Sequence, residues 1–283
     1  MMLTELSVND FAAIPYLETS SLMKTHGKKL TFSLSKPNVV VGPNGSGKTA
    51  LLDTLAIRFL TYFSGESTLD CRYVLDVDAR AWWTKSGKGT DEYVWLKGLL
   101  CQTDNAPALY YRPGHVPGNE PTIADAMMGE YWAQAQEYAR LVERRSSGEQ
   151  NRAVLGRITQ ALEGGELPTR YAYMNWEFGT TARDVSKLDT FVYGRDAYSK
   201  AEVLKALYRP APSALALILM DEPEQSLDVK AEAQFWSCIA KAECQKMQII
   251  AATHSMYPLI HRDRFNLIET EAGFIDDVLE LMA

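Results

Sequence analysis

Cysteine is scarce and scattered: the four in 283 residues, Cys71, Cys101, Cys238 and Cys244, form no CxxC pair and have no histidine or cysteine neighbours at ligand spacing. Such a scatter suits reduced cytosolic thiols better than a disulfide framework or a structural zinc site. Long apolar runs are missing too. Nothing approaches the ~20 consecutive apolar residues of a membrane-spanning helix. The opening MMLTELSVNDFAAI lacks the basic start and apolar core of a signal peptide. The expectation is a cytoplasmic protein with no membrane partner. Positive charge is in the minority, 29 Lys and Arg against 36 Asp and Glu, for a net charge of −7. No global field therefore draws the chain to nucleic acid, and DNA contact would need a local basic patch. Internal repeats, low-complexity tracts and sustained heptads are absent, which excludes solenoids and long coiled coils.

What is present is ordinary globular composition, 46% hydrophobic and 23% charged, in a chain long enough for a sizeable core. MLTELSV and KLTFSLS alternate like half-buried strands, and NVVV is a short apolar strand running into a glycine-rich loop. The spacing of Leu51, Leu52, Leu55, Ile57 and Leu60 predicts a helix over Thr49 to Thr61. Between 64 and 130, RYVLDVDARAWW, EYVWLKGLL and ALYYRPG read as strands. Helices are expected over 131–145 and 150–163, with EGGELP as the stop. Residues 169–195 are rich in aromatic rings, whose simplest use is the small core of an insertion; AYSKAEVLKALYR follows as a helix. The last third alternates strand LALILM, helix Val229 to Glu243, strand MQIIAAT and strand FNLIE. Such alternation predicts an α/β fold with a mostly parallel central sheet flanked by helices.

GPNGSGKT, Gly42 to Thr49, satisfies G-x-x-x-x-G-K-[ST] between a predicted strand and a predicted helix. The glycines let successive backbone N–H groups turn inward around a phosphate, and the new helix points its positive end at the same anion. Lys48 supplies an ammonium for the β- and γ-phosphates, and the Thr49 hydroxyl is a Mg²⁺ ligand. Gly42, Pro43, Asn44, Gly45, Ser46, Gly47, Lys48, Thr49 and Ala50 are therefore the candidate ATP-binding positions. LILMDEPEQSLD, Leu217 to Asp228, ends an apolar strand in two acids. Buried acids are costly unless paired. Beside a cation they make sense: Asp221 holds Mg²⁺ through water, and Glu222 polarises an attacking water. IIAATHSM ends another apolar strand at Thr253 and His254, where the histidine can reach a γ-phosphate; His26, His115 and His261 have no such context.

VERRSSGEQNR, Val142 to Arg152, breaks one charged helix from the next with Ser146, Ser147, Gly148 and Glu149. Alone, it is a helix cap, a serine with a glutamate three residues on. Beside the other motifs it gains a second meaning. GPNGSGKT, LILMDEP, SLD at 226–228 and ATHS at 252–255 together resemble the ABC-type ATPases. In that likeness they are Walker A, Walker B with the catalytic Glu222, the D-loop with Asp228, and the switch histidine His254. SSGEQ is similar to the family's signature motif, with the core S-x-G-[EQ]. The resemblance implies a homodimer with composite sites, in which Ser146, Ser147, Gly148 and Glu149 of one subunit close over ATP held by its partner.

It further implies a P-loop NTPase fold of ABC-ATPase type, with an antiparallel β subdomain and a helical lobe beside the central sheet. One domain would span 1–283: a Walker A lobe over 1–130, a helical signature region over 131–164, an insertion over 165–210, and the Walker B and switch-histidine part over 211–283. SSGEQ and MDEPEQSLD resemble most the SMC, RecF and OLD branch of the ABC-type ATPases, a branch whose members also carry the label AAA family ATPase and which includes ATPase subunits of bacterial anti-phage systems such as Septu and retron-associated cassettes. Three features depart from that branch. No heptad-bearing segment for a long coiled coil lies between Walker A and the signature, the short stretch after FNLIE leads to the expectation that the nuclease domain of OLD proteins is missing, and Ser146 and Asp221 lie 75 positions apart, far more than one helix and a turn. The Q-loop glutamine has two candidate places: Gln102, a Mg²⁺ contact behind WLKGLL, or the YYRP junction, with Arg112 near the nucleotide.

The resulting expectation is a soluble ATP-hydrolysing enzyme that dimerises on ATP and controls a partner effector (a nuclease, toxin or reverse transcriptase complex) in anti-phage defence or DNA repair. The alternative is an ATP-gated DNA-binding clamp, using Arg140, Arg144, Arg145, Arg152 and Arg157 as a local basic face. A transporter's nucleotide-binding subunit fits less well, because of the insertion and the unclear Q-loop.

Overall fold

The first alternating segment forms β1 (Glu5–Val8), with Leu6 and Val8 buried. Two one-turn helices follow, α1 (Pro15–Thr19) and α2 (Ser21–Thr25). Each is too short to carry a periodic apolar stripe, so the sequence pattern does not announce them. The Ser20 hydroxyl caps the second, accepting from the Met23 N–H at 3.3 Å. Next come β2 (Lys29–Thr31), β3 (Asn38–Val41) and, after the glycine-rich loop, α3 (Lys48–Arg58). The alternation in KLTFSLS runs further than the strand does. The strand stops because the Ser33 hydroxyl accepts from the N–H groups of Ser35 and Lys36, closing a turn. The later elements are β4 (Leu99–Gln102), β5 (Ala108–Tyr111), β6 (Ala216–Asp221), α4 (Val229–Lys241), β7 (Met247–Thr253), α5 (Tyr257–Ile260), a 3₁₀ turn (Arg262–Arg264), β8 (Asn266–Glu269) and α6 (Phe274–Met282).

This computed structural model describes residues 2–11, 14–58, 98–103, 108–111, 216–225, 227–242, 244 and 246–282, with the single positions 113, 149, 155, 156, 158, 159, 162 and 163. The strands expected between 64 and 97, the helix over 131–145 and the insertion over 165–210 lie outside the described residues. Within the helix expected over 150–163, every described position is helical.

Five strands make a parallel sheet in the order β5-β6-β7-β3-β8, and three make an antiparallel sheet in the order β2-β1-β4. The fold is α/β, as the alternation predicts. Every residue of β3 and β7 is buried, the signature of parallel strands covered on both faces. On one face, Phe235, Trp236 and Ile239 of α4 pack with Leu155, Ile158 and Leu162 against Val39, Val41, Ile218, Met220 and Ile249. On the other, α3 lies across β5, β6 and β7 with Leu51, Leu52 and Leu55 buried. Gln248 pins the two sheets together: its amide donates to Leu3 O at 2.7 Å and its Oε1 accepts from the Leu3 N–H at 2.9 Å. No helix among the described residues is long and apolar enough to cross a membrane.

Pairing of Tyr111 with Met220, Asp221 with Ala252 and Val41 with Thr253 brings the carboxyl ends of β5, β6, β7 and β3 to one edge of the sheet. In open α/β sheets that edge is where ligands bind.

Candidate functional site

The loop from Gly42 to Gly47 joins β3 to α3 at this edge. A Cβ on Gly42 would lie 1.7 Å from Thr270 Oγ1, and one on Gly47 would lie 2.6 Å from Ser20 Cβ and Oγ. Backbone conformation also demands glycine at Gly47, where φ is +108°. The unannounced helices brace the loop. The Leu22 N–H donates to Ser46 O at 3.1 Å, and the Tyr16 hydroxyl donates to Gly45 O. Pro43, Asn44 and Thr49 keep partial or full exposure, while Ser46 and Ala50 are buried. Ser46 Oγ has no hydrogen-bond partner among the described residues.

Lys48 opens α3 and is only 5% exposed. Its ammonium curls back over the loop, donating to Gly42 O and Pro43 O at 2.9 Å each. Burial lowers its pKa, and the carboxylates of Glu222, Asp221 and Glu224 pull it back up. The start of α3 thus sets one desolvated cation in the field of three acids, Asp221 at the end of β6 and Glu222 and Glu224 in the turn that follows.

Of those acids, Asp221 is 2% exposed at the strand end. Glu222 turns outward: its φ is +46°, left-handed for a residue that has a Cβ, and its N–H donates to Ala252 O at 2.9 Å. Strain of this kind costs roughly 1 kcal/mol and concentrates at functional sites. The Glu222 side chain, 37% exposed, puts Oε1 3.4 Å from Nε2 of His254, 40% exposed at the end of β7. Burial and then the Lys48 ammonium lower the His254 pKa, against the Glu222 carboxylate, so the imidazole is neutral at pH 7.

Glu224 is a site residue that motif reading misses. Its Oε1 accepts from Thr253 Oγ1 at 2.5 Å and from the His254 N–H at 3.2 Å. Burial raises its pKa to about 7, opposed by those donors. The signal in the sequence was a third acid within DEPE, three residues beyond Asp221.

Other expected site residues fall elsewhere. Gln102 ends β4 in the antiparallel sheet, where its carbonyl accepts from the N–H and hydroxyl of Thr4. Among the described residues, its hydrogen bonds reach neither the loop nor the acids. The alternative junction, YYRP, does lead from the parallel sheet, since β5 pairs with β6; Arg112 lies outside the described residues. Asp228 is the N-cap of α4, accepting from the N–H groups of Lys230 and Ala231 at 3.0 and 2.9 Å. Glu149 is exposed and helical, while Ser146, Ser147 and Gly148 lie outside the described residues. His26 Nε2 lies 2.8 Å from Glu269 O, and the His261 ring packs on Tyr257. Chemically, the edge offers a glycine-rich loop with a buried ammonium, an exposed carboxylate beside a neutral imidazole, and two further acids, Asp221 and Glu224. Compared with models of known protein families and with curated proteins, the chain matches none.

Proposed function

We propose that the chain is a P-loop ATPase of ABC type that binds and hydrolyses ATP, dimerises on ATP and controls a partner effector. One observation carries this reading. The Lys48 ammonium, at the start of α3, lies within the field of Asp221 at the end of β6 and of Glu222 and Glu224 in the turn that follows, while β7, the strand between β3 and β6, leads directly into His254. A phosphate chain lying on the loop would meet a cation beneath it and a solvent-reachable carboxylate and imidazole at its far end.

In this mechanism the loop N–H groups and the N-terminus of α3 bind the β-phosphate. ATP displaces the Lys48 ammonium from its own loop carbonyls and takes up that charge. Glu222 orients water and accepts its proton as the oxygen attacks the γ-phosphorus and the bond to the β–γ bridging oxygen breaks. His254, neutral, donates to the γ-phosphate and registers its presence. Thr49 and Asp221 are oxygen donors of the kind Mg²⁺ takes, and among the described residues no group of three or more His, Cys, Asp or Glu forms a self-sufficient metal cage. Thr49 would hold the ion directly and Asp221 through water, and there it would neutralise phosphate charge. Signature residues Ser146 to Glu149 complete the site from a second copy.

The test pairs two substitutions. Glu222→Gln should bind ATP, lose turnover and accumulate as a dimer; Lys48→Ala should lose nucleotide affinity. Turnover in Glu222→Gln equal to wild type removes Glu222 from the base role, and unchanged ATP affinity in Lys48→Ala removes the loop from phosphate binding.

A further inference from the structure

No step of the chemistry above uses the carboxyl group of Glu224, yet it joins the two elements that the chemistry needs in register. Glu224 sits on the turn that carries Glu222, a turn closed by the Gln225 N–H donating to Glu222 O at 3.0 Å and the Leu227 N–H donating to Glu224 O at 2.9 Å. From that turn a single oxygen, Oε1, receives two donors from the end of β7, Thr253 Oγ1 at 2.5 Å and the His254 N–H at 3.2 Å. Thr253 is itself fixed, 1% exposed and accepting from the Ser255 N–H at 2.8 Å. The other oxygen, Oε2, is buried and has no hydrogen-bond partner among the described residues. A second general base needs an oxygen turned toward solvent or substrate; here one oxygen is taken by two donors and the other is shut away.

We propose that Glu224 is a positioning residue: its carboxyl group clamps the tip of β7 to the turn after β6 and so holds the His254 ring against Glu222. The consequence for turnover rests on the ATPase reading; the placement of the ring does not.

The clamp needs an acceptor rather than a charge, which separates glutamine from alanine. Two readouts test it on the full chain. The first is the imidazole resonance of His254 in nucleotide-free protein at fixed pH, identified among the four histidines by its loss in His254→Asn. The second is the split between kcat and KM for ATP. Glu224→Ala should move the His254 resonance and lower kcat by about ten- to a hundredfold, as a displaced catalytic group does, with KM within about threefold of wild type. Glu224→Gln, whose amide oxygen accepts from the same two donors, should keep the resonance and restore kcat to within about threefold. A His254 resonance in Glu224→Ala that overlays wild type overturns the proposal. So does a glutamine variant as displaced and as slow as the alanine one. If Glu224→Ala does not fold, Thr253→Val, nearly isosteric and lacking the donor, takes its place; an unmoved resonance there also overturns the clamp. If wild type hydrolyses no ATP, the ATPase reading falls and the resonance alone decides the clamp.

Discussion

His254 Nε2, at the end of β7, lies 3.4 Å from Oε1 of Glu222, at the end of β6. Burial and the Lys48 ammonium hold the imidazole below its ordinary pKa of 6.5, so a neutral ring faces the carboxylate at pH 7. In the proposed reaction this pair acts on the departing phosphoryl group and the attacking water, whereas Lys48 acts on nucleotide already bound. His254→Gln should therefore lower ATP turnover by roughly ten- to a hundredfold while leaving ATP affinity within about threefold. Single-turnover rates and equilibrium nucleotide binding check it. A loss of affinity as large as that of Lys48→Ala moves His254 into ground-state binding.

The left-handed φ of +46° at Glu222 separates backbone strain from side-chain chemistry. Both Glu222→Ala and Glu222→Gly remove the carboxylate and should abolish turnover. Glycine alone also relieves the clash of Cβ with its own backbone, so the glycine variant should be the more stable of the two by about 1 kcal/mol. Denaturant midpoints compare them. Equal midpoints mean that the turn relaxes without strain.

Two glycines with positive φ differ in surroundings. Gly273, at +83°, has nothing within 4 Å of an added Cβ; Gly47, at +108°, would meet Ser20 Cβ and Oγ at 2.6 Å. Gly273→Ala should cost only the conformational term, about 1 kcal/mol. Gly47→Ala should cost about 1–3 kcal/mol more by overpacking α2 against the loop. It should also weaken nucleotide binding, which the first substitution leaves alone. Thermal unfolding and nucleotide titration of the pair decide it.

Glu224 gives the fold a pH dependence of defined sign. Its carboxyl pKa in the fold is about 7, raised by burial from 4.5; the Thr253 hydroxyl and His254 N–H oppose the shift, and Glu232 adds to it. A raised carboxyl pKa means that the folded chain holds the proton more tightly than the unfolded one. The associated stability is present in full below pH 4.5 and is lost as pH rises through about 7. Wild type should thus lose stability relative to Glu224→Gln between pH 5 and 8, by roughly 3 kcal/mol at most. Parallel denaturant titrations across that range measure the difference. A constant difference means the carboxyl titrates normally.

Mixed dimers test the composite site. If the proposed composite site forms, Ser146→Arg should put bulk into the neighbour's site and Lys48→Ala should disable its own, so each homodimer should be dead. In a mixed dimer both lesions fall in one site and leave the other intact. Equal mixing with subunit exchange should recover about a quarter of the sites, less any coupling between them. A rate that stays at the mutant baseline, with mixed dimers shown to form, returns Ser146 to the role of a helix cap.

Much of the site was legible in sequence because its chemistry is local. β3, the glycine loop and α3 are contiguous, as are β6 and its acids, so spacing alone marks Lys48, Thr49, Asp221 and Glu222. Short apolar runs bounded by glycine, proline and charge place β3, β6, β7 and β8 within a residue or two of where they fold. Strand order has no such local mark. That β7 inserts between β3 and β6, and so carries His254 to Glu222 across 32 positions of chain, follows from long-range pairing and burial on both sheet faces. The bracing of the glycine loop by α1 and α2 comes from contacts with no sequence period. Likewise, only tertiary pairing separates Gln102, whose strand joins β1 in the antiparallel sheet, from β5, whose end reaches the site edge beside β6. Glu224 shows the division most sharply. In sequence it is one acid among three, and only the approach of Thr253 and His254 from another strand assigns its carboxyl group a partner.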